Sequence, residues 1–141
     1  MTALLDKRLP VLKEVLIRHA HVLAVFLFGS QVDGYATPRS DIDLAVLFER
    51  LPSLKEELAL SVAVQEALGT ERVDLVNLNR ASLLLRHRAV AGRLVYERDE
   101  EKVSDFIEST IRDYVDYAPD LEAYYRDYDL ALEAAYGLRP T

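Results

Sequence analysis

Cysteine is absent from the 141 residues of this chain. Its absence removes disulfide staples, thiol nucleophiles and cysteine-ligated zinc in one step. Basic side chains are in short supply: 17 Lys and Arg stand against 24 Asp and Glu, a formal net charge of -7. A protein that grips duplex nucleic acid needs a basic stripe to displace counterions from phosphate. No direct binding of long nucleic acid is therefore expected. A small nucleotide or a basic protein partner suits this balance better, and a local positive pocket remains compatible with it. Long apolar runs are missing as well. The longest, Val22 to Phe28, is far short of the roughly 20 residues that cross a bilayer. Charges interrupt the N-terminal stretch before a signal-peptide core can form. No repeat, low-complexity segment or linker divides the chain. The expectation is a cytoplasmic protein with no membrane association. What is present is apolar material: half of the residues are hydrophobic, enough for one packed domain without staples.

Periodicity supplies a coarse order of elements. Leu12, Val15, Leu16 and His19 recur at helical spacing, with Pro10 suited to a first turn. Val22 to Phe28 reads as a buried strand stopped by Gly29-Ser30. Gln31 to Ser40, with Asp33-Gly34 and Pro38, reads as a loop. Asp41 to Phe48 is a second strand. Ser53 and Glu56 form a capping-box pattern ahead of a helix, and Gly69 stands where a C-terminal cap belongs. Arg72 to Leu78 is a third strand. Asn79 is the expected cap of a helix running to about Ala91, ended by Gly92, and Leu94 to Tyr96 forms a short fourth strand. From Asp99 the pattern is helical, broken at Pro119 and ended at Gly137. Ten residues between Ser30 and Asp41 are too few for a parallel crossover, so the first two strands pair antiparallel and the sheet is mixed. The fold class is α+β, a mixed sheet flanked by helices. The expected division is a core over 1–98 and a C-terminal helical extension over 99–141, within the same compact domain.

Antiparallel pairing brings the end of strand one beside the start of strand two, making Ser30 and Asp41 neighbours. Asp41 and Asp43 lie two apart on a strand and so share a face. Their Cα atoms stand roughly 6.5–7 Å apart, a spacing at which two carboxylates can share hard divalent cations such as magnesium. Asp74 interrupts the apolar strand RVDLVNL and supplies a third acid. Gly29 permits close backbone approach to a phosphate, Ser30 adds a hydroxyl, and a helix starting after them would favour anions. A lone Asp-x-Asp is usually a turn or a solvated edge, and a lone Gly-Ser a loop. It is their joint spacing with a third acid that points to a site.

The segment FLFGSQVDGYATPRSDIDLAVLF resembles the signature of the nucleotidyltransferase superfamily related to DNA polymerase beta: Gly29-Ser30, ten residues, then Asp41-Ile42-Asp43 after an apolar strand. Asp74 falls where that family's third carboxylate is expected. The short length and the later segment LLRHRAVAGRLVYERDEE resemble its minimal nucleotidyltransferases, and the likeness covers about residues 10 to 105. Many relatives carry Ala-Arg-Gly where this chain has Val32-Asp33-Gly34. An acid thus replaces an arginine, and Arg39 is the candidate to compensate.

The resemblance implies an antitoxin that transfers AMP from ATP to a tyrosine of a cognate HEPN ribonuclease toxin, in a hetero-oligomeric complex. By similarity, Asp41, Asp43 and Asp74 are the catalytic and Mg2+-binding residues, and Gly29, Ser30 and Arg39 contact the nucleotide. Two alternatives stay open: a nucleotidyltransferase for a small aminoglycoside-like acceptor, and a binding antitoxin without catalysis. Tyr114, Tyr117, Tyr124, Tyr125, Tyr128 and Tyr136 crowd an acidic C-terminal segment, serving either a packed helical face or a partner surface. His19, His21 and His87 read as structural. Arg86-His87-Arg88 is either a solvated helix face or a contact to nucleotide or toxin.

Overall fold

The computed structural model describes the backbone of residues 3–29 and 41–136, and the side chains of 5–29, 41–117, 119 and 126. Within these residues the elements are α1 (Ala3–Arg18), β1 (Val22–Phe28), β2 (Ile42–Phe48), α2 (Leu54–Leu68), β3 (Val73–Asn77), α3 (Leu83–Val90), β4 (Arg93–Glu97) and α4 (Glu100–Tyr136).

The strands form one mixed sheet in the order β3-β2-β1-β4. β1 pairs antiparallel with both β2 and β4, and β2 pairs parallel with β3. The antiparallel pairing expected from the short connection between β1 and β2 is therefore present. Every residue of β1 is buried, and all of β2 except Asp43, because both sheet faces are covered. On one face α1 and α2 pack Leu12, Leu16, Leu60 and Val64 against Val25, Leu27, Leu44 and Val46. On the other, Leu85 and Ala89 of α3 and Val103, Phe106 and Ile107 of α4 cover Phe26, Phe28, Ala45 and Leu47. Alternation along β2 thus assigns Asp43, Ala45 and Leu47 to the α3–α4 side.

Several expected boundaries move. α1 starts at Ala3 and carries Pro10 in its interior. An internal proline opposes a helix by about 3 kcal/mol. Leu5, Leu12 and Leu16 are essentially buried and Leu9 packs beside them, and each buried leucine contributes ~1.5–3 kcal/mol; the apolar face carries the helix through the proline. Because α1 ends at Arg18, His19 and His21 occupy a turn, and their rings meet edge to face at 5.9 Å. α2 begins with the reciprocal Ser53–Glu56 capping box and ends at Gly69 in the left-handed conformation, φ 69°. Asn79 caps no helix; Ser82 caps α3 instead. The Asn79 amide closes on the end of β2, accepting from the Phe48 N–H and donating to the Phe48 carbonyl, both at 2.9 Å. α4 is one helix that continues through Pro119 rather than two. Pro119 is exposed, so its ring meets water instead of a packed neighbour while the loss is confined to one hydrogen bond and one carbonyl contact. Among the described residues no helix is long and apolar enough to cross a membrane.

Candidate active site

Three backbone segments converge at one end of the sheet. β1 terminates at Phe28, whose cross-strand partner is Asp43. Asp43 is in turn abreast of Asp74 on β3. Register therefore sets the end of β1, Asp43 and Asp74 side by side, and adjacent partners in a ladder share a face. Asp41 immediately precedes β2.

Gly29 follows β1 with φ 76°, a conformation that side-chain-bearing residues avoid. A Cβ built on Gly29 would collide with Oδ2 of Asp43. The glycine thus serves a need different from the one its motif suggested: it makes room for the carboxylate. A phosphate approaching the same backbone would use the same absence of a side chain.

The electrostatics are those of crowded anions. Asp43 is half-buried, and its carboxyl is pushed above the ordinary carboxylate range, first by burial, then by the negative charges of Asp74 and Asp41, while Arg88 opposes the shift. Asp41 and Asp74 are exposed. Among the described residues no three acidic or imidazole groups already stand close enough to form a finished metal cluster. The three aspartates nonetheless fit a hard divalent ion: all are oxygen donors, they lie within Coulombic range of one another, and the repulsion that raises Asp43 is what a cation relieves. Ser30 and Arg39, the other expected nucleotide contacts, lie outside the described residues, as do Asp33 and the expected Ser30–Asp41 adjacency.

Arg88 is the cationic neighbour that spacing alone did not connect to the acids. It sits on α3 just before Ala89, which is fully buried against the Asp43 side of the sheet. The adjoining His87 stacks on Tyr114 of α4, ring centroids 3.6 Å apart at 11°, so this tyrosine and histidine join two helices. Tyr117 is exposed. His21 stacks on Phe48 at 5.6 Å with its Nδ1 3.8 Å from Glu56, a structural setting remote in sequence from the acids.

The family model for polymerase beta nucleotidyltransferases matches residues 11–101, a span that contains every described site residue. The chain belongs to this nucleotidyltransferase family. A Methanocaldococcus jannaschii protein provisionally named a protein adenylyltransferase is 37% identical over 79 residues, which cover 50% of this chain and 78% of the relative. The protein adenylyltransferase MntA of Thermococcus cleftensis is 44% identical over 55 residues, 39% of this chain and 54% of that protein. Among solved structures, that of tri-AMPylated Shewanella oneidensis HEPN toxin in complex with MNT antitoxin aligns with TM-score 0.66 at 23% identity, covering 87% of this nucleotidyltransferase and 97% of the matched chain. At that identity the likeness is one of fold. A toxin–antitoxin complex with AMP-PNP aligns with TM-score 0.64 at 25% identity, covering 82% and 97%.

Proposed function

We propose that this nucleotidyltransferase is the antitoxin of a toxin–antitoxin pair, transferring AMP from ATP to a tyrosine of a cognate HEPN ribonuclease toxin and silencing it within a complex. The observation that carries the reading is the register of Asp43 against Asp74 beside the bare backbone of Gly29. The relatives named protein adenylyltransferases support the reaction, and the structures of a toxin–antitoxin with AMP-PNP and of an AMPylated HEPN toxin with its MNT antitoxin support the donor and the partner.

In this reading Asp41, Asp43 and Asp74 hold Mg2+, and Gly29, Ser30 and Arg39 contact the nucleotide. When bound, magnesium neutralises charge on the triphosphate and on the departing pyrophosphate. The phenolic oxygen of the acceptor forms a bond to the α-phosphorus, and the bond to the bridging oxygen of pyrophosphate breaks. Pyrophosphate leaves with that electron pair, and the phenolic proton passes to the Asp74 carboxylate. Asp41 and Asp43 would supply anionic oxygen ligands to that ion, and without it their charges would repel the phosphates, so activity is expected to depend on a divalent cation. Arg88 adds a fixed positive charge near Asp43 and so tempers the repulsion at the nucleotide's edge.

The test is incubation of the chain with α-labelled ATP, Mg2+ and the HEPN protein encoded with it. Label on a toxin tyrosine, lost on chelation and in the Asp41→Ala plus Asp43→Ala variant, is the expected result. A correctly folded partner that takes up no label overturns the reaction. A double variant that still neutralises the toxin as well as wild type does assigns protection to binding instead.

A further inference from the structure

β3 is an edge strand, and among the described residues no strand pairs with its outer side. The hydrogen bonds of its inner side define what faces outward. The Ile42 N–H donates to the Arg72 carbonyl and the Leu78 N–H donates to the Val46 carbonyl. Main-chain groups alternate along a strand, so those of Asp74 and Val76 also face β2, and those of Val73 and Leu75 face the open edge. Beside this edge lies a groove of about 360 Å³ between β3 and the start of α2, with Leu54, Leu58 and Ser61 on the helix side and Asp74 among its residues on the strand side. Leu54 is 72% exposed and Leu58 58%. They lie four apart and form an apolar shelf along the groove. An open edge next to an apolar shelf is a surface that proteins cover or use.

We propose that this groove docks the acceptor: an extended segment of the partner protein adds to β3 as a further strand and carries its tyrosine opposite Asp74. The proposal rests on the transfer reaction above and names where its second substrate binds. Strand periodicity supplies the logic. A residue paired with Asp74 points to the same sheet face as Asp74 and Asp43, the face of the chemistry. Its two neighbours point to the opposite face, where α2 presents Leu54 and Leu58. One strand would thus deliver a hydroxyl to the acids and anchor itself with apolar side chains, the division of labour by which added strands gain both affinity and specificity. The tyrosine and its two anchors would lie abreast of Asp74, Val73 and Leu75, about 7 Å of strand, which β3 spans from Val73 to Asn77. Charge selects this occupant over a second copy of the chain. Two copies paired edge to edge would bring together Asp74 and Glu57 of each, on chains that each carry a net charge of -7. A segment with basic flanks meets the opposite field.

The test titrates the cognate HEPN protein in the labelled-ATP assay with wild type, the Leu54→Glu/Leu58→Glu double variant, and Ile17→Glu. Ile17 is 59% exposed on α1 and serves as the control for an added surface carboxylate. The expected result is a rise of at least ~10-fold in KM for the acceptor in the double variant, with AMP-PNP binding and Tm unchanged and Ile17→Glu like wild type. Amide exchange on the complex gives a readout that shelf packing alone would not move: the Val73 and Leu75 amides become protected when the partner binds. An unchanged KM, an equal rise in Ile17→Glu, or Val73 and Leu75 amides that exchange as fast in the complex as in the free chain overturns strand addition while leaving the transfer reaction standing. A monomer–dimer equilibrium abolished by the double variant, with acceptor KM unaltered, assigns the groove to self-association and overturns it too. A wild-type chain that labels no partner fails one step earlier, at the reaction itself.

Discussion

Replacing Gly29 with alanine separates the roles of backbone and carboxylate at this site. Two penalties act on Gly29→Ala. The first is conformational: φ is 76°, and an L-residue held in the left-handed region is disfavoured by about 1–2 kcal/mol, or roughly 3–10 °C in Tm for a chain of this size. The second is local: the new methyl collides with Oδ2 of Asp43, so the carboxylate must swing away. A displacement of about 1 Å in a reacting constellation lowers rates on the order of 100-fold. Gly69→Ala is the matched control. Its φ is 69°, but the added Cβ meets only the Arg8 guanidinium at 3.4 Å, the far end of a side chain that can move. Both variants are expected to lose similar stability in urea or thermal unfolding. Only Gly29→Ala is expected to lose AMP transfer, by about two orders of magnitude, measured as label incorporated per minute at saturating ATP and 25 °C. Wild-type transfer in Gly29→Ala would refute the placement of Asp43 at the reacting centre. Equal losses of transfer in the two variants would mean that backbone strain alone explains the effect.

Asp43→Asn removes a carboxylate that burial and two neighbouring aspartates hold above its ordinary range. A raised folded value means that the charged form opposes folding above that value and that the penalty vanishes below the unfolded one. Metal-free Asp43→Asn should therefore be more stable than wild type at pH 7, by ~0.5–2 kcal/mol, with the gain disappearing on acidification and Mg2+ stabilising wild type more; a lower Tm at pH 7 without metal would contradict this. Asn79→Ala strips partners from both the N–H and the carbonyl of Phe48 and is expected to lose about 2 kcal/mol in urea unfolding with little change in m; a loss below about 0.5 kcal/mol would show that water replaces the amide. Glu56 is depressed from 4.5 to about 2, mainly by the Arg50 guanidinium and then by the Ser53 N–H. Its contribution is fully present above pH 4.5 and lost as pH falls through about 2, so the Tm difference between wild type and Glu56→Gln should close across that window. A difference that persists at pH 2 would assign it to packing.

The acid pair was legible from sequence because strand periodicity is two: Asp43 and Asp74 each interrupt an apolar run, and parallel pairing in register does the rest. The capping box at Ser53 and Glu56 was legible because its donors and acceptors are local. Asn79, Pro10 and Pro119 were read by local preference, and tertiary structure decided otherwise. Asn79 is recruited by a strand 31 residues earlier, a contact no window contains. Pro10 is overridden by leucines whose burial depends on the sheet. His19 and His21 look unable to meet if the segment is helical, and they meet because α1 stops at Arg18. Arg88 could be flagged as part of a basic run, yet its relation to Asp43 depends on α3 lying across that face of the sheet.

The same sheet divides stability from chemistry. The α1–α2 side is packed with leucines and valines except along the groove between α2 and β3. The other side leaves its end, beyond Phe28 and Ala45, to acids that repel one another. Parallel β2–β3 pairing forces this arrangement, since Asp43 and Asp74 cannot be in register and also avoid each other. A one-residue slip would relieve the repulsion but turn Leu75 and Val73 away from the α1–α2 core they now join. Hydrophobic packing on one face thus locks a charge conflict on the other. In the reading proposed above, a divalent cation held by the aspartates would resolve that conflict, because it would offset the repulsion that raises Asp43. β3, which carries Asp74, is also an edge strand whose outer side no described strand pairs with, so the geometry that assembles the acids sets them beside the surface proposed to dock the acceptor.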